Sequence, residues 1–260
     1  MTRTWKFTDL EFVVAWETYQ ADILPAPFVF TSRTPLYDDY QREKRELRAQ
    51  LGTTLDDNLA RVMDVVARPD IRVELHGWGA DSEDAESQIR LLAVRHAGDG
   101  YLLEQLPGET AWHSGGYTIT ECAPLELADV LLAELPEVAA GQLGDIVLAE
   151  QTKGADLDYS YGRSFINDSF DDTVERQADQ FVRAPSTGEG IINIEQGISR
   201  FGPRGITRRR LCWRDLEGDG RYAITTAIPP VAVPADTKRL TTLLNSGIAE
   251  VVKAIRDERR

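Results

Sequence analysis

The stretch of sequence that decides the fold of this chain is GIINIEQGISRFGPRGITRRRLCWRDLEGDGRYAITTAI, residues 190–228. It contains three runs that are rich in β-branched and aromatic residues, as strands usually are. The three runs lie at 190–196, 209–216 and 221–228. Glycine, proline and aspartate cluster between them, at 202–205 and 217–220, and these residue types favour tight turns. The stretch is therefore predicted to form a three-stranded β-meander.

The same order of elements occurs once in the first half of the chain. A helix-like segment ends at Pro69 and leads into a strand, and a second such segment ends at Pro185, 116 residues later, and leads into another strand. A Gly-Asp-Gly turn follows in each half, at 98–100 and at 218–220. Two copies of one αβββα unit explain this spacing. The alternative is that two hairpins with a common turn sequence coincide.

Length and charge limit the classes of protein to which this chain can belong. It has 260 residues, with 43 acidic and 29 basic side chains and a formal net charge of −14. Because negative charge repels phosphate, we expect neither a nucleic-acid partner nor binding to an anionic membrane surface. No apolar run approaches the ~18 residues of a membrane span, and residues 1–6 contain no apolar signal core. We therefore expect a cytoplasmic protein without membrane insertion.

The sequence motifs of the common enzyme classes do not occur in the chain. Cys122 and Cys212 lack metal-ligand spacing, and we interpret them as small buried hydrophobes, the alternative being a redox pair. Residues 215–220 (DLEGDG) resemble the start of a calcium loop, but the twelfth position is Thr226, which cannot supply the carboxylate that such a loop requires. We expect no catalytic residue, no cofactor and no metal ion.

Other segments are predicted from their composition and spacing. Residues 7–19 fit a strand, a short helix, or a strand that runs into a helix. Helices are predicted at 38–51, where Gly52 ends the helix, and at 125–139. Residues 156–172 are poor in aliphatic side chains, and we interpret them as a long surface connection.

The last helix is predicted to begin at Asp236 or Thr237, after Pro229, Pro230 and Pro234 have ended the sheet. Seven of its apolar residues fall on one stripe at helical spacing, namely Leu240, Leu243, Leu244, Ile248, Val251, Val252 and Ile255. Their burial yields roughly 10 to 20 kcal/mol gross, whereas ordering the backbone costs about 1 to 2 kcal/mol per residue. The helix therefore needs packing partners, and we interpret the stripe as core; an exposed groove for a partner is the alternative.

Two charged clusters are candidates for a binding surface. Residues 80–86 contain four carboxylates and no cation, and Trp78 beside them is of a type that is enriched at interfaces. Arg204 and residues 208–210 form the one basic cluster, for which a solvated hairpin is the ordinary explanation and an acidic partner the alternative.

Four features of the second half together resemble the C-terminal signature of the EspG family, cytosolic chaperones of actinobacterial type VII (ESX) secretion. They are Gly190-Ile-Ile, the arginine-rich turn through Arg210, Trp213-Arg-Asp215 and Asp219-Gly-Arg-Tyr222. The resemblance implies an α/β (α+β) fold with a central, mostly antiparallel sheet, helical bundles and two halves related by a pseudo-two-fold axis. The chain would then be one EspG-like domain over residues 1–260, with repeats at about 1–140 and 141–260.

The resemblance also implies a function. EspG-like proteins bind the helical tip of the PPE protein in a PE–PPE heterodimer, keep it soluble and direct the pair to a type VII secretion system. Their contact surface involves the loop between the second and third strands and the C-terminal helical region. In this chain the loop corresponds to these candidate partner-binding residues: Trp78, Gly79, Asp81, Ser82, Glu83, Asp84, Glu86 and Ser87.

Two other functions are compatible with the residues themselves. One is an enzyme that uses dispersed carboxylates in an α/β cleft. The other is a self-associating scaffold that pairs through a sheet edge or the last helix. We expect a monomer or a weak homodimer.

Overall fold

The computed structural model describes residues 3–19, 23–54, 57–148 and 171–259. The strands are β1 Thr4–Phe7, β2 Ile71–Gly79, β3 Ile89–His96, β4 Asp99–Pro107, β5 Ser114–Cys122, β6 Ile146–Val147, β7 Ser186–Gln196, β8 Arg208–Leu216, β9 Gly220–Thr225 and β10 Val231–Pro234. The helices are α1 Asp9–Glu17, α2 Tyr37–Thr54, α3 Asp57–Ala67, α4 Leu127–Leu132, α5 Asp171–Arg183 and α6 Thr237–Glu258. A short 3-10 helix, Pro203–Gly205, precedes β8.

The ten strands form one antiparallel sheet in the order β1-β5-β4-β3-β2-β7-β8-β9-β10-β6. Strands β1 to β5 of the first half correspond, in that order, to strands β6 to β10 of the second half. The two sets are arranged symmetrically about the β2–β7 contact. That contact has nine residue pairs, from Ile71 opposite Gln196 to Gly79 opposite Gly188. Its midpoint is Leu75 opposite Ile192. The predicted α/β fold with a mostly antiparallel sheet and pseudo-two-fold halves is confirmed.

The exact extent of the two repeats stays a prediction. A helix precedes the strands in each half, α3 before β2 and α5 before β7, and a helix follows them, α4 after β5 and α6 after β10, so each unit has four strands and not the three predicted. The boundary predicted near residue 140 lies just before β6, which pairs with β10 of the second half. Residues 149–170 lie outside the described part of the chain.

Helices cover both faces of the sheet. One face packs against α4 and α6 in a core that includes Leu75 of β2 and Ile192 of β7. The predicted apolar stripe of α6 lies in this core, with Leu240, Leu244, Ile248 and Val251 buried and Leu243, Val252 and Ile255 partly buried. On the opposite face, α1 and α3 pack on the first half of the sheet around Phe12 and Tyr117, whose rings stack at 4.3 Å. Interpreting the α6 stripe as core is therefore confirmed.

Several predicted boundaries were wrong. The helix predicted at 125–139 is only Leu127–Leu132, because Pro136 has no N–H to donate and disfavours helical backbone at Leu135. The helix predicted to stop at Gly52 continues to Thr54. Prolines 229 and 230 do not end the sheet, since they lie before β10, which pairs with both β9 and β6.

The other segments predicted from the sequence either have a clear outcome or lie partly outside the described residues. Residues 7–19 are the third alternative, a strand that runs into a helix, because Thr8 caps α1 in a capping box with Glu11. The last helix begins at Thr237 with Asp236 as its N-cap. The surface connection predicted at 156–172 lies outside the described residues except for its last two, which begin α5.

Within the described ranges, no helix combines the length and the apolar character that a membrane span requires.

The centre of the sheet depends on two glycines that make room for one tryptophan. Gly77, Gly190 and Trp213 lie side by side on β2, β7 and β8. A Cβ on Gly190 would lie 2.2 Å from the Trp213 ring and 2.4 Å from the carbonyl oxygen of His76, and a Cβ on Gly77 would lie 2.8 Å from the same ring. The indole therefore fills the space that two side chains would otherwise occupy.

We predict that Gly190→Ala lowers the free energy of unfolding by at least about 1 to 3 kcal/mol, because the added methyl group must displace Trp213 or the backbone of β2. Gly98→Ala is the matched control, since a Cβ at Gly98 meets no atom within 4 Å. It should change stability by no more than about 0.5 kcal/mol. Urea denaturation of both variants checks this, and equal midpoints would contradict it.

Candidate partner-binding site

The connection between β2 and β3, residues 80–88, is named the acidic loop here. Residues 80–84 and Glu86 are exposed. Asp81 and Asp84 shape the loop, because their side chains accept hydrogen bonds from the backbone N–H groups of Glu83 (2.9 Å) and Glu86 (3.2 Å). The carboxylates of Glu83 and Glu86 take no part in these bonds and extend into solvent. The loop thus presents negative charge on a defined backbone.

A buried glutamine anchors the acidic loop to the sheet. Gln88 is 7% exposed, and its Nε2 donates a hydrogen bond to the carbonyl oxygen of Ser82 (2.8 Å). Its Oε1 lies 3.1 Å from Nε2 of His76, which donates in this arrangement. Burial lowers the pKa of His76, so the imidazole is neutral near pH 7. At the loop's two ends, a Cβ on Gly79 would lie 2.9 Å from Cβ of Ser87, so glycine is needed for the ends to approach.

Trp78 and Gly79 were predicted to belong to the loop, but both lie in strand β2, so the loop begins only after Gly79. Nε1 of Trp78 donates a hydrogen bond to Oε1 of Glu189 on β7 (3.1 Å), and the indole packs edge-on against His76 at 5.1 Å. Trp78 is partly exposed. It is therefore an aromatic side chain fixed at the base of the acidic loop.

A groove of about 350 Å³, named the end groove here, adjoins the acidic loop. The lining includes four of the predicted site residues, Trp78, Gly79, Glu86 and Ser87. Asp81, Ser82, Glu83 and Asp84 do not line it and stand on the exposed loop. The other side of the groove is formed by Leu135, Pro136 and Val138, and Trp213 and Asp215 also line it. The groove combines an apolar surface with an acidic rim.

A buried ion pair holds the segment 135–141, the wall of the end groove, against the sheet. Nε and Nη2 of Arg221 on β9 donate to the two carboxylate oxygens of Asp215 on β8, at 2.6 and 2.8 Å. Arg221 is fully buried and Asp215 is 4% exposed. Nη2 also donates to the carbonyl oxygen of Pro136 (3.0 Å), and the backbone N–H of Arg221 donates to that of Ala139 (2.8 Å). One bidentate pair therefore positions a wall that is distant in sequence.

Asp219 and Tyr222 hold residues 142–143, which follow the groove wall, in place. The hydroxyl of Tyr222 donates to Oδ2 of Asp219 (2.5 Å) and accepts a hydrogen bond from the backbone N–H of Leu143 (2.9 Å). The other carboxylate oxygen of Asp219 accepts from the N–H of Gln142 (2.8 Å). Burial raises the pKa of Tyr222 to about 12, so its hydroxyl keeps the proton that it donates. The DLEGDG sequence is thus a turn, and its Asp215 and Asp219 carboxylates accept hydrogen bonds from other groups of the same protein.

The sequence alone missed the wall and the ion pair behind it. Asp215 and Arg221 stand six residues apart on either side of a turn, and a pair of opposite charges that faces inward across a hairpin is a signal for a buried ion pair. Pro136 gave no comparable signal, because its contact with Arg221 joins residues 85 positions apart.

The cysteines are free thiols, and two arginines of the basic cluster form ion pairs. Cys122 and Cys212 are free, and four strands separate β5 from β8 in the sheet, so the thiols are no redox pair. Burial raises the pKa of both thiols, that of Cys122 to about 11. In the basic cluster, Arg208 pairs with Glu195 (3.1 Å) and Arg209 with Glu250. Among the described residues, no group of three or more His, Cys, Asp and Glu side chains is arranged to hold a metal ion.

We predict that Arg221→Met lowers the free energy of unfolding by about 3 to 5 kcal/mol, because it leaves the Asp215 carboxylate buried without its cation. The double variant Asp215→Leu/Arg221→Met removes both charges and should recover most of this loss. Chemical denaturation of the single and double variants in a double-mutant cycle measures the coupling. If the double variant were less stable than the single one, the pair would not act as a unit.

Comparison with known proteins places the chain in a family. The model of the EspG family matches residues 8–246. No curated protein matches the chain. Among solved structures, the chain is similar to the Mycobacterium tuberculosis type VII secretion system chaperone EspG5, in a structure of its complex with a PE25–PPE41 dimer. The identity is 13%, the match covers 98% of this chain and 96% of that chain, and the TM-score is 0.57, which shows a shared fold. Because the family model matches most of its length, the chain belongs to the EspG family.

Proposed function

We propose that the protein is a cytoplasmic chaperone of type VII (ESX) secretion, which binds the apolar helical tip of a PPE protein in a PE–PPE heterodimer and keeps the pair soluble. The observation that carries this proposal is the likeness of nearly the whole chain to EspG5, whose structure was solved with a PE25–PPE41 dimer. Membership of the EspG family supports it.

The end groove and the acidic loop are the surface that we assign to this function. The groove offers apolar side chains from three parts of the chain, namely Ile89, Leu135, Val138 and Trp213. A partner leucine that leaves water on entering such a groove gains about 1.5 to 3 kcal/mol. The Glu86 carboxylate lies at the rim of the groove and that of Glu83 on the exposed loop beside it. Charge at such positions affects the rate of encounter and the choice of partner more than the affinity.

Binding is a better account of the chain than catalysis by dispersed carboxylates. Glu74, which is buried, and Glu195, which is partly buried, lie on the neighbouring strands β2 and β7. Arg72 lies 3.4 Å from Glu74 and 2.8 Å from Glu195. Burial raises the pKa of Glu74, and the Arg72 charge opposes that shift. Both acids belong to one ion-pair cluster, which also includes Arg208. A cluster of this kind stabilises a sheet surface, and we assign it that role.

The direct test is co-expression with the PE–PPE gene pairs of the source genome, followed by size-exclusion chromatography with light scattering. We expect a complex of one chaperone with one PE–PPE pair that keeps the pair in solution. A folded protein that forms no complex with any such pair would overturn the proposal.

We predict that Glu83→Lys/Glu86→Lys weakens this complex roughly tenfold at physiological salt, through loss of favourable charge at the rim of the groove. These two residues are chosen because their side chains are not used in the hydrogen bonds that shape the acidic loop. Asp38→Lys/Glu46→Lys on α2 is the matched control, since it changes the net charge equally at two exposed positions elsewhere. Titration calorimetry on both variants separates a local effect from a general one. Equal losses of affinity would remove the acidic loop from the interface.

A further inference from the structure

The acidic loop has a counterpart of opposite charge in the other half of the sheet. The connection between β7 and β8, residues 197–207, occupies the position in the second half that the β2–β3 connection occupies in the first. It contains Arg200 and Arg204 and no carboxylate, and is named the basic loop here. The acidic loop contains four carboxylates and no cation. The pseudo-two-fold axis therefore relates two loops with opposite charge.

The two loops lie at opposite ends of the sheet. Strands β2 and β7 are antiparallel neighbours, the acidic loop follows Gly79 at the end of β2, and the basic loop follows Gln196 at the end of β7. At about 3.3 Å per residue, the nine paired residues between these points span roughly 30 Å. One molecule thus presents a loop with four carboxylates at one end and a loop with two arginines at the other.

The basic loop holds two apolar side chains in solvent on a fixed backbone. Ile198 and Phe201 are 66% and 67% exposed. Oγ of Ser199 accepts a hydrogen bond from the N–H of Phe201 (3.1 Å) and donates to Oε1 of Glu258 on α6 (2.9 Å). The N–H of Arg200 donates to the other oxygen of the same carboxylate (3.1 Å). These bonds fix the backbone at Arg200 and Phe201, so less of the loop has to become ordered when a partner binds.

Cations lie directly beside these apolar side chains. The guanidinium of Arg200 donates to the carbonyl oxygen of Glu258 (2.6 Å) and lies 5.2 Å from the centre of the Phe201 ring. Arg204 is exposed and has no ion pair or hydrogen bond among the described residues. Arginine and aromatic side chains are both enriched at protein interfaces. The basic loop therefore has the chemistry of a binding surface for an acidic segment.

We propose that the basic loop of one copy binds the acidic loop of a second copy, so that the protein forms head-to-tail oligomers. The charges of the two loops are complementary, and both are available on every molecule. Because the loops face opposite ends of the sheet, a contact of this kind leaves one loop of each type free and a third copy can add. The expected product is an open series of oligomers and not a closed dimer.

Charge also limits the strength of this contact. Two copies with a net charge of −14 repel each other at long range, but this repulsion is screened beyond about 8 Å at physiological ionic strength. The local attraction between the loops is short-range and survives this screening in part. Since exposed ion pairs contribute little each, we expect a dissociation constant on the order of 100 μM.

The contact has a consequence for the proposed chaperone function, and this consequence rests on that function. The acidic loop is the surface that we assign to the PPE protein, so a second copy bound there competes with it. The head-to-tail oligomer is then a resting form in which the acidic loop of all copies but one is covered. A PE–PPE pair shifts the population to single chaperones by binding the freed loop.

The first test is the mass of the protein alone, measured by sedimentation and light scattering from about 10 μM to about 1 mM. The weight-average mass should rise with concentration past that of a dimer of the 29.0 kDa chain and return to the monomer at about 0.5 M NaCl. A mass of 29.0 kDa at every concentration and salt would overturn the proposal. A mass that stops at a dimer would contradict the head-to-tail arrangement.

Paired variants test which loops meet. Arg200→Gln/Arg204→Gln keeps the acidic loop, Glu83→Lys/Glu86→Lys keeps the basic loop, and each should be monomeric alone. An equimolar mixture should give a one-to-one complex of the two variants that does not grow further. Lys238→Gln/Arg239→Gln, at two exposed positions of α6, is the matched control and should oligomerise like the unaltered protein. Arg204→Gln alone alters no contact of the described residues and should still shift the dissociation constant several-fold.

The two proposals fail in different ways. The mass measurements need no partner, so the absence of a PE–PPE complex would leave them unchanged. If a PE–PPE pair binds and the oligomers dissociate, competition for the acidic loop is supported. If the pair binds and the oligomers remain, the acidic loop does not serve both contacts and the resting-form model is wrong.

Discussion

Main-chain hydrogen bonds between β2 and β7 join two five-stranded half-sheets into one sheet of ten strands. Each half alone would expose one of these long strands as an open edge, which favours uncontrolled pairing with other chains. In the joined sheet, the edges are β1 with four residues and β6 with two. The antiparallel sense of the ladder also sets the shape of the surface, because it sends equivalent loops of the two halves to opposite ends. Both proposed contacts follow from this one ladder.

The same ladder limits which residues can stand near its end at the acidic loop. The Trp213 indole fills the space that side chains at positions 77 and 190 would occupy. In this position it packs into the core that α4 and α6 cover. Further along β8, Asp215 reaches Arg221 and through it the groove wall. Trp213, Asp215 and Arg221 thus have a common task, which is to fix the core of the sheet and the wall of the groove.

The sequence predicted most of the regular structure because that structure follows from local periodicity. The meander at 190–228 and the apolar stripe of α6 are examples, since alternation and helical spacing can be recognised without knowing what packs on them. Trp78 and Gly79, at the end of β2, were predicted to belong to the loop. Glycine has low strand propensity, so the sequence gives only a weak strand signal at this end. Glycine is required there by Trp213 and Ser87, which come from other parts of the chain. Strand β6 and the groove wall escaped prediction for the same reason, as their partners are about 85 residues away.

Loops around the groove and the buried Asp215–Arg221 pair are subject to different evolutionary constraints. Exposed loop residues can change one at a time with little effect on stability. A change at either member of the buried pair passes through a protein that retains an unpaired buried charge, and natural proteins have only a small reserve of stability to absorb it. The pair therefore resists drift even though its joint replacement by apolar residues would be physically acceptable. Partner preference can diverge around a groove whose wall stays in place, which allows one scaffold to acquire new clients without having to be rebuilt.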